Sequence, residues 1–284
     1  MSATEANLLC YINFGPLCGD VSSGGCDSVV GSSLNSTSGD TSAAQRDGRL
    51  SASVDDGFAA FVAGRVNEVR QRIEHARSAG GLKQNVTLVA VTKTHGADAV
   101  EAAWRAGVMD VGENKVQEAE EKMATNSAPV RWHLIGHLQR NKAKAALRFD
   151  LVHSIDSARL AQAVNEAASN AGRVQDVLIQ VNVSGESSKG GFSASKLGSV
   201  GDTLHGFGSL RVIGVMTMAP FDAEERELRE VFSGARGASE QLVKLGHPAI
   251  ELSMGMSGDY EIAVQEGATL VRLGTVLFGN RAST

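Results

Sequence analysis

From Val86 to Leu273 the chain passes repeatedly from a short β-rich run to a longer stretch of helical periodicity, and this alternation constrains the fold more than any other feature. Short apolar runs bounded by turn residues read as buried strands, and apolar residues recurring at i, i+3 and i+4 read as helices with one buried face. The expected strands are Val86–Thr92, Val108–Gly112, Val130–Ile135, Leu151–Ser154, Val177–Val183, Leu210–Met216, Ile250–Ser253 and Leu270–Leu273. Helices are expected after them at Ala97–Ala106, Val116–Thr125, Arg140–Leu147, Ala158–Ala171, Ala194–His205, Ala223–Leu245 and Tyr260–Glu266. A leading helix precedes the first strand, with Phe58, Phe61, Val62, Val69 and Ile73 at helical spacing, Asp55 and Asp56 at its positive end and Gly80-Gly81 as its stop. Eight strands in this βα alternation over roughly 230 residues predict a single (β/α)8 TIM barrel of the α/β class. The alternative, a doubly wound open sheet, is weakened because Lys93-Thr94-His95-Gly96 follows the first strand where a Gly-rich dinucleotide turn would be needed.

The 284 residues, 42% of them hydrophobic, suffice for a full core, and a net charge of -5 argues against a general nucleic-acid binder. No apolar run is long enough to span a bilayer, so a soluble protein is expected. Residues 1–53 differ from the rest: they are crowded with Ser, Gly, Thr and Asn, contain no lysine, and are expected to form a disordered tail ahead of a barrel over 54–284. The tail lacks the basic start of a secretory signal, and Glu5, Asp20, Asp27, Asp40 and Asp47 oppose a mitochondrial presequence. Its apolar patch from Leu8 to Phe14 leaves room for a degenerate targeting role, and a start codon placed too far upstream explains the tail equally well. Cys10, Cys18 and Cys26 match no zinc spacing, and a cysteine-free body is compatible with the expected cytoplasmic location.

In a barrel of this kind the loops after the strands form the active face. The residues at those ends therefore make one ring: Lys93, then Glu113 and Asn114, then Gly136, His137, Gln139 and Asn141, then Ser154, then Asn182 with Ser184, Glu186 and Lys189, then Met216 and Thr217. Strand seven leads into Ser253-Met254-Gly255-Met256-Ser257-Gly258-Asp259, and strand eight ends in Arg272-Leu273-Gly274-Thr275. Glycines admit close backbone approach, and hydroxyls and free N–H groups at a helix start suit an anion, so these two loops together predict a phosphate site. Capping by Ser257 and Asp259, turn chemistry at Gly274 and Thr275, and an ion pair at Arg272 are the structural alternatives. His133, His137 and His153 do not form a metal-binding set, and no metal is expected.

A lysine closing an apolar strand opposite a phosphate cradle suggests a Schiff base with an aldehyde-bearing phosphate, with pyridoxal 5′-phosphate as the leading candidate. Imine formation needs a neutral amine, which desolvation and the nearby charge of Arg272 would favour at Lys93. Lys142 and Lys189 read instead as solvated or phosphate-neighbouring charges.

The chain from Phe58 to Arg281 resembles the pyridoxal phosphate homeostasis proteins, formerly described as proline synthase co-transcribed homologues. The matching stretches are Val91-Thr92-Lys93-Thr94, Gly112-Glu113-Asn114, the run from Trp132 to Lys142, the run from Asn182 to Gly191, Gly214-Val215-Met216-Thr217-Met218, the run from Leu252 to Ser257, and Val271-Arg272-Leu273-Gly274-Thr275. Lys115 and Gly96 depart from the family pattern, as does the long tail. The resemblance implies a barrel like the N-terminal domain of alanine racemases, with pyridoxal phosphate held as an aldimine on Lys93. It implies that Ser257, Gly274 and Thr275 hold the phosphate, that Arg272 faces the pyridine nitrogen, and that Asn114 borders the cofactor; Met216, which closes the sixth strand within a matching stretch, is counted with these cofactor-binding residues.

An arginine keeps its proton, so the ring nitrogen would stay unprotonated and the ring would be a poor electron sink. The chain also stops soon after strand eight, leaving no room for the racemases' second β domain. The expected function is therefore intracellular pyridoxal phosphate homeostasis as a carrier or buffer without efficient catalysis, with no residue assigned a catalytic role. Pyridoxal-phosphate-dependent client enzymes are expected partners, and the protein is expected to be monomeric, with neither nucleic acid nor membrane bound. An amino-acid racemase is the alternative, and a cofactor-free Schiff-base aldolase is a third reading.

Overall fold

Nine strands are found among the described residues: β1 (Thr87–Val91), β2 (Asp110–Glu113), β3 (Arg131–Leu134), β4 (Leu151–Ile155), β5 (Gln175–Asn182), β6 (Phe192–Ser193), β7 (Leu210–Met216), β8 (Glu251–Ser253) and β9 (Leu270–Leu273). All pairings are parallel, and they run β1–β2–β3–β4–β5–β7–β8–β9 and back to β1. The sheet is thus closed, and the expected (β/α)8 barrel is present. The two-residue β6 pairs with the end of β5 outside this ring. The computed structural model describes residues 54–185 and 190–279. The expected disordered tail over 1–53 and the loop positions Glu186 and Lys189 lie outside the described residues.

The outer layer contains α1 (Asp56–Ala79), α2 (Ala97–Arg105), α3 (Val116–Thr125), α4 (Ala158–Asn170), α5 (Leu197–His205), α6 (Glu225–Lys244), α7 (Tyr260–Gln265) and α8 (Thr275–Phe278). On α1, Val62, Val66, Val69 and Ile73 are buried at helical spacing, and each such side chain contributes about 1.5–3 kcal/mol by leaving water. The Asp55 carboxylate caps this helix by accepting from the Phe58 N–H at 2.9 Å. Although α1 comes first in the chain, it packs against α2, α7 and α8, and so covers the junction where β9 meets β1.

Three expectations for the outer layer need correction. Arg140–Arg148 is a 3-10 helix rather than an α-helix, and its buried residues Ala143 and Ala146 have the three-residue spacing of that form. The helix expected from Ala194 begins with a separate 3-10 turn, Ala194–Lys196, before α5. Helix α8 was not foreseen, because Gly274 and Thr275 read as loop residues. Among the described residues, no helix is long and apolar enough to cross a membrane.

Side chains alternate between two cores. Leu88, Ala90, Val111, Leu134, Val152, Ile179 and Leu273 face outward into the large core shared with the helices. Val89, Leu151, Leu178, Met216 and Leu270, contributed by five strands, form a smaller cluster of their own inside the barrel. A parallel strand buried on both faces reads as an unbroken apolar run, as Leu88-Val89-Ala90-Val91 of β1 does.

Candidate functional site

The turn after β1 is fixed by two glutamates and a lysine. Thr92 is buried, and its hydroxyl donates to Glu113 Oε1 at 2.5 Å. From α3, Lys122 Nζ donates to the Thr92 carbonyl (2.7 Å), to Glu113 Oε1 (2.7 Å) and to Glu118 Oε1 (2.9 Å). The Thr94 N–H donates to the Glu118 carboxylate. The residues on both sides of Lys93 are therefore tied to the same helix. Thr94 has φ 64°, a left-handed conformation that costs a β-branched residue about 1–3 kcal/mol and persists only where the surroundings enforce it. Burial raises the Glu113 pKa, against the hydrogen bonds from Lys122 and Thr92. Burial acts in the same sense on Glu118, but there the bonds from Lys122 and Thr94 prevail and lower the pKa.

Arg272 holds the other side of the mouth. It lies on β9 opposite Val89 of β1, is buried, and donates from Nη1 to Ser253 Oγ (2.6 Å) and from Nη2 to the Thr217 carbonyl (2.9 Å). These bonds join the ends of β7, β8 and β9 through one guanidinium. Burial lowers its pKa to about 10, partly offset by Asp259, so it remains a cation at neutral pH. Asp259 itself has a raised pKa because burial outweighs the Met256 N–H, donating at 2.5 Å, and the charge of Arg272.

Each residue expected at the site is found at the C-terminal rim of the barrel. Lys93 follows β1, Asn114 follows β2, Met216 ends β7, Ser257 lies in the loop after β8, Arg272 is on β9, and Gly274 and Thr275 follow it. They are contributed by five consecutive strands of the ring: β7, β8, β9, β1 and β2. A Cβ added at Gly274 would meet the Val91 carbonyl at 3.2 Å, which places the loop after β9 directly against the end of the strand bearing Lys93. Ser257 Oγ accepts from the Val276 N–H at 3.4 Å, linking the loops after β8 and β9. At Gly136 an added Cβ would lie 2.3 Å from the Asn114 carbonyl, so the loops after β2 and β3 are also in close contact.

A lysine, a buried guanidinium, two hydroxyls and a glycine-lined turn converging on one rim suit a ligand that combines an aldehyde, a ring and a phosphate. Among the described residues, no group of three or more His, Cys, Asp or Glu is arranged to hold a metal. Sequence reasoning missed Lys122 and Glu118 as the clamp on the Lys93 turn. Their signal was the i,i+4 pair on α3, which alone reads as an ordinary solvated ion pair.

Comparison with known proteins agrees with this geometry. Residues 65–282 match the family described as alanine racemase, N-terminal domain. The pyridoxal phosphate homeostasis protein of Aquifex aeolicus is 37% identical over 221 residues, covering 76% of this chain and 97% of that protein. Its namesake in Pseudomonas aeruginosa is 40% identical over 223 residues, covering 78% and 96%. The structure of PipY from Synechococcus elongatus with pyridoxal phosphate bound is similar, with a TM-score of 0.69 and 36% identity over 77% of this chain and 100% of that one. The chain belongs to the pyridoxal phosphate homeostasis protein family, built on the alanine racemase N-terminal domain.

Proposed function

We propose that this protein binds pyridoxal 5′-phosphate covalently through Lys93 and acts in intracellular pyridoxal phosphate homeostasis, holding and releasing the cofactor without efficient catalysis. The observation that carries this reading is the hydrogen-bonded pairing of β1 and β9, which brings Lys93, Arg272 and the Gly274-Thr275 turn to one rim. The cofactor bound in PipY, a 36% identical structure, supports it. In this reading Ser257, Gly274 and Thr275 hold the phosphate, Arg272 faces the pyridine nitrogen, and Asn114 and Met216 border the ring.

When bound, pyridoxal phosphate supplies an aldehyde that condenses with an amine and a ring that withdraws electrons. The residues of this chain limit the second property. A guanidinium that stays protonated at neutral pH donates a hydrogen bond to a ring nitrogen without transferring its proton, and leaves the ring a weak electron sink. We infer further that the protein works as a cytoplasmic monomer and passes cofactor to dependent client enzymes. That its relatives are named homeostasis proteins supports reading the chain as a holder of the cofactor rather than a catalyst.

The test is visible absorbance after the full chain is mixed with pyridoxal phosphate and freed of excess, with Lys93→Ala alongside. A protein-bound band in the wild type that disappears in the variant is expected; an equal band in both would remove Lys93 from the role. Hydrogen exchange at the α-carbon of added amino acids, measured on the same sample, is expected to stay at the level of free cofactor. Fast turnover there would instead favour a racemase.

A further inference from the structure

A continuous line of hydrogen bonds crosses the barrel interior and ends at Arg272. Arg272 Nη1 donates to Ser253 Oγ at 2.6 Å, and Ser253 Oγ is 2.8 Å from His153 Nδ1. His153 Nε2 is 2.9 Å from His133 Nδ1, and His133 Nε2 is 2.9 Å from Asp110 Oδ1. Arg131 holds the other Asp110 oxygen at 2.7 Å. All the residues between Arg131 and Arg272 are buried. Arg131 and Asp110 also line a cavity of about 500 Å3 beside the starts of β1, β2 and β3, on the face opposite the Lys93 rim.

Between Arg272 at one end and Asp110 at the other, one arrangement leaves both imidazoles neutral. An arginine only donates and a carboxylate only accepts. With both imidazoles neutral, Asp110 requires the His133 hydrogen on Nε2, His133 Nδ1 is left to accept, and Ser253, accepting from Arg272, gives its one hydrogen to His153 Nδ1. His153 must then carry its hydrogen on Nε2 and donate to His133 Nδ1, and His133 donates from Nε2 to Asp110. Every contact is satisfied with both imidazoles neutral. Burial above all, with the charge of Arg272 acting in the same sense, holds the His153 pKa well below its ordinary value, in keeping with a neutral ring. A competing arrangement puts a second proton on His133 and reverses the bonds, so that His153 donates from Nδ1 to Ser253. It would place an imidazolium beside an Asp110 carboxylate that Arg131 already neutralises.

We propose that Asp110, His133, His153 and Ser253 are positioning residues that set the orientation of Arg272 at the cofactor rim, so that a change at Asp110 is felt four hydrogen bonds away. The proposal concerns the chain itself, and only its cofactor readout rests on the proposed binding of pyridoxal phosphate. Networks of this kind respond as units rather than as independent pairs.

The test has two arms on the full-length protein. Two-bond 1H–15N correlations of the cofactor-free wild type should show His133 and His153 each protonated on Nε2 alone. A doubly protonated His133, or His153 protonated on Nδ1, would overturn the proposal, and this arm needs no variant to fold. In the second arm, Asp110→Ala should shift the His153 and Arg272 side-chain resonances. It should also release bound pyridoxal phosphate on dialysis roughly fivefold faster or more, with partial rescue by Asp110→Asn, which keeps an acceptor oxygen. Unmoved His153 and Arg272 resonances in a folded Asp110→Ala would overturn the coupling. Absence of bound cofactor in the wild type would count against the proposed function and leave the first arm to decide the chain.

Discussion

Strand β2 carries two buried carboxylates that serve opposite regions of the molecule. Asp110 lies inside the barrel and accepts from His133 and Arg131, whereas Glu113 lies under α3 and accepts from Thr92 and Lys122. Burial opposes ionisation at both. At Asp110 the hydrogen bonds from His133 and Arg131 and the charge of Arg131 outweigh burial and the pKa falls, while at Glu113 burial prevails and the pKa rises. The interior therefore carries a chain of matched polar groups toward Arg272. The outer layer is an apolar shell that accepts charge where it fastens the Lys93 turn. Two devices of different kinds thus fix the two sides of one rim.

The sharpest way to break this contrast is Lys122→Met. The lysine side chain is 7% exposed and Glu113 is fully buried, so the change strands a buried carboxylate. Unfolding in urea should show a loss of about 3–5 kcal/mol. A loss below about 1 kcal/mol would place the cluster with ordinary surface pairs.

Asp110→Asn should cost less, about 1.5–3 kcal/mol, because an acceptor survives the loss of charge. Its pH dependence gives the sign. The folded pKa of Asp110 lies below the ordinary 3.8, so its contribution is present above that value and is lost as pH falls through the folded one. Urea midpoints in acid should fall more steeply for the wild type than for the variant. Glu113→Gln should behave in the opposite way. Its folded pKa lies above 4.5, so the wild type has that contribution below 4.5 and loses it as pH rises through the folded value, a slope the variant should lack. Equal slopes in both variants would erase the distinction between the two carboxylates. The smallest expected effect is at a site in neither device: Asp55→Ala removes the α1 cap and should lower stability by about 1 kcal/mol in the same assay.

The alternation of elements was legible because it depends on local patterns. Leu210–Met216 and Leu270–Leu273 were expected at the boundaries found, and Val116–Thr125 likewise. The rim residues were legible because a barrel places every strand end on one face, so Lys93, Asn114, Met216, Ser257, Arg272, Gly274 and Thr275 could be collected without knowing any contact. The interior chain was not legible. His133 and Asp110 are separated by 23 residues, and Ser253 and His153 by 100, so nothing local marks them as partners. The histidines were considered only as metal ligands, a test that a hydrogen-bonded pair across two strands fails. Lys122 was hidden for the same reason, since its carbonyl partner Thr92 lies 30 residues earlier.

In the proposed function Lys93, between the two threonines that α3 fastens, carries the cofactor. Borohydride reduction of the protein loaded with pyridoxal phosphate, followed by peptide mass mapping, tests it most directly. One stable pyridoxyl adduct is expected, located on Lys93. An adduct located on Lys142 or Lys189 with Lys93 unmodified would contradict it.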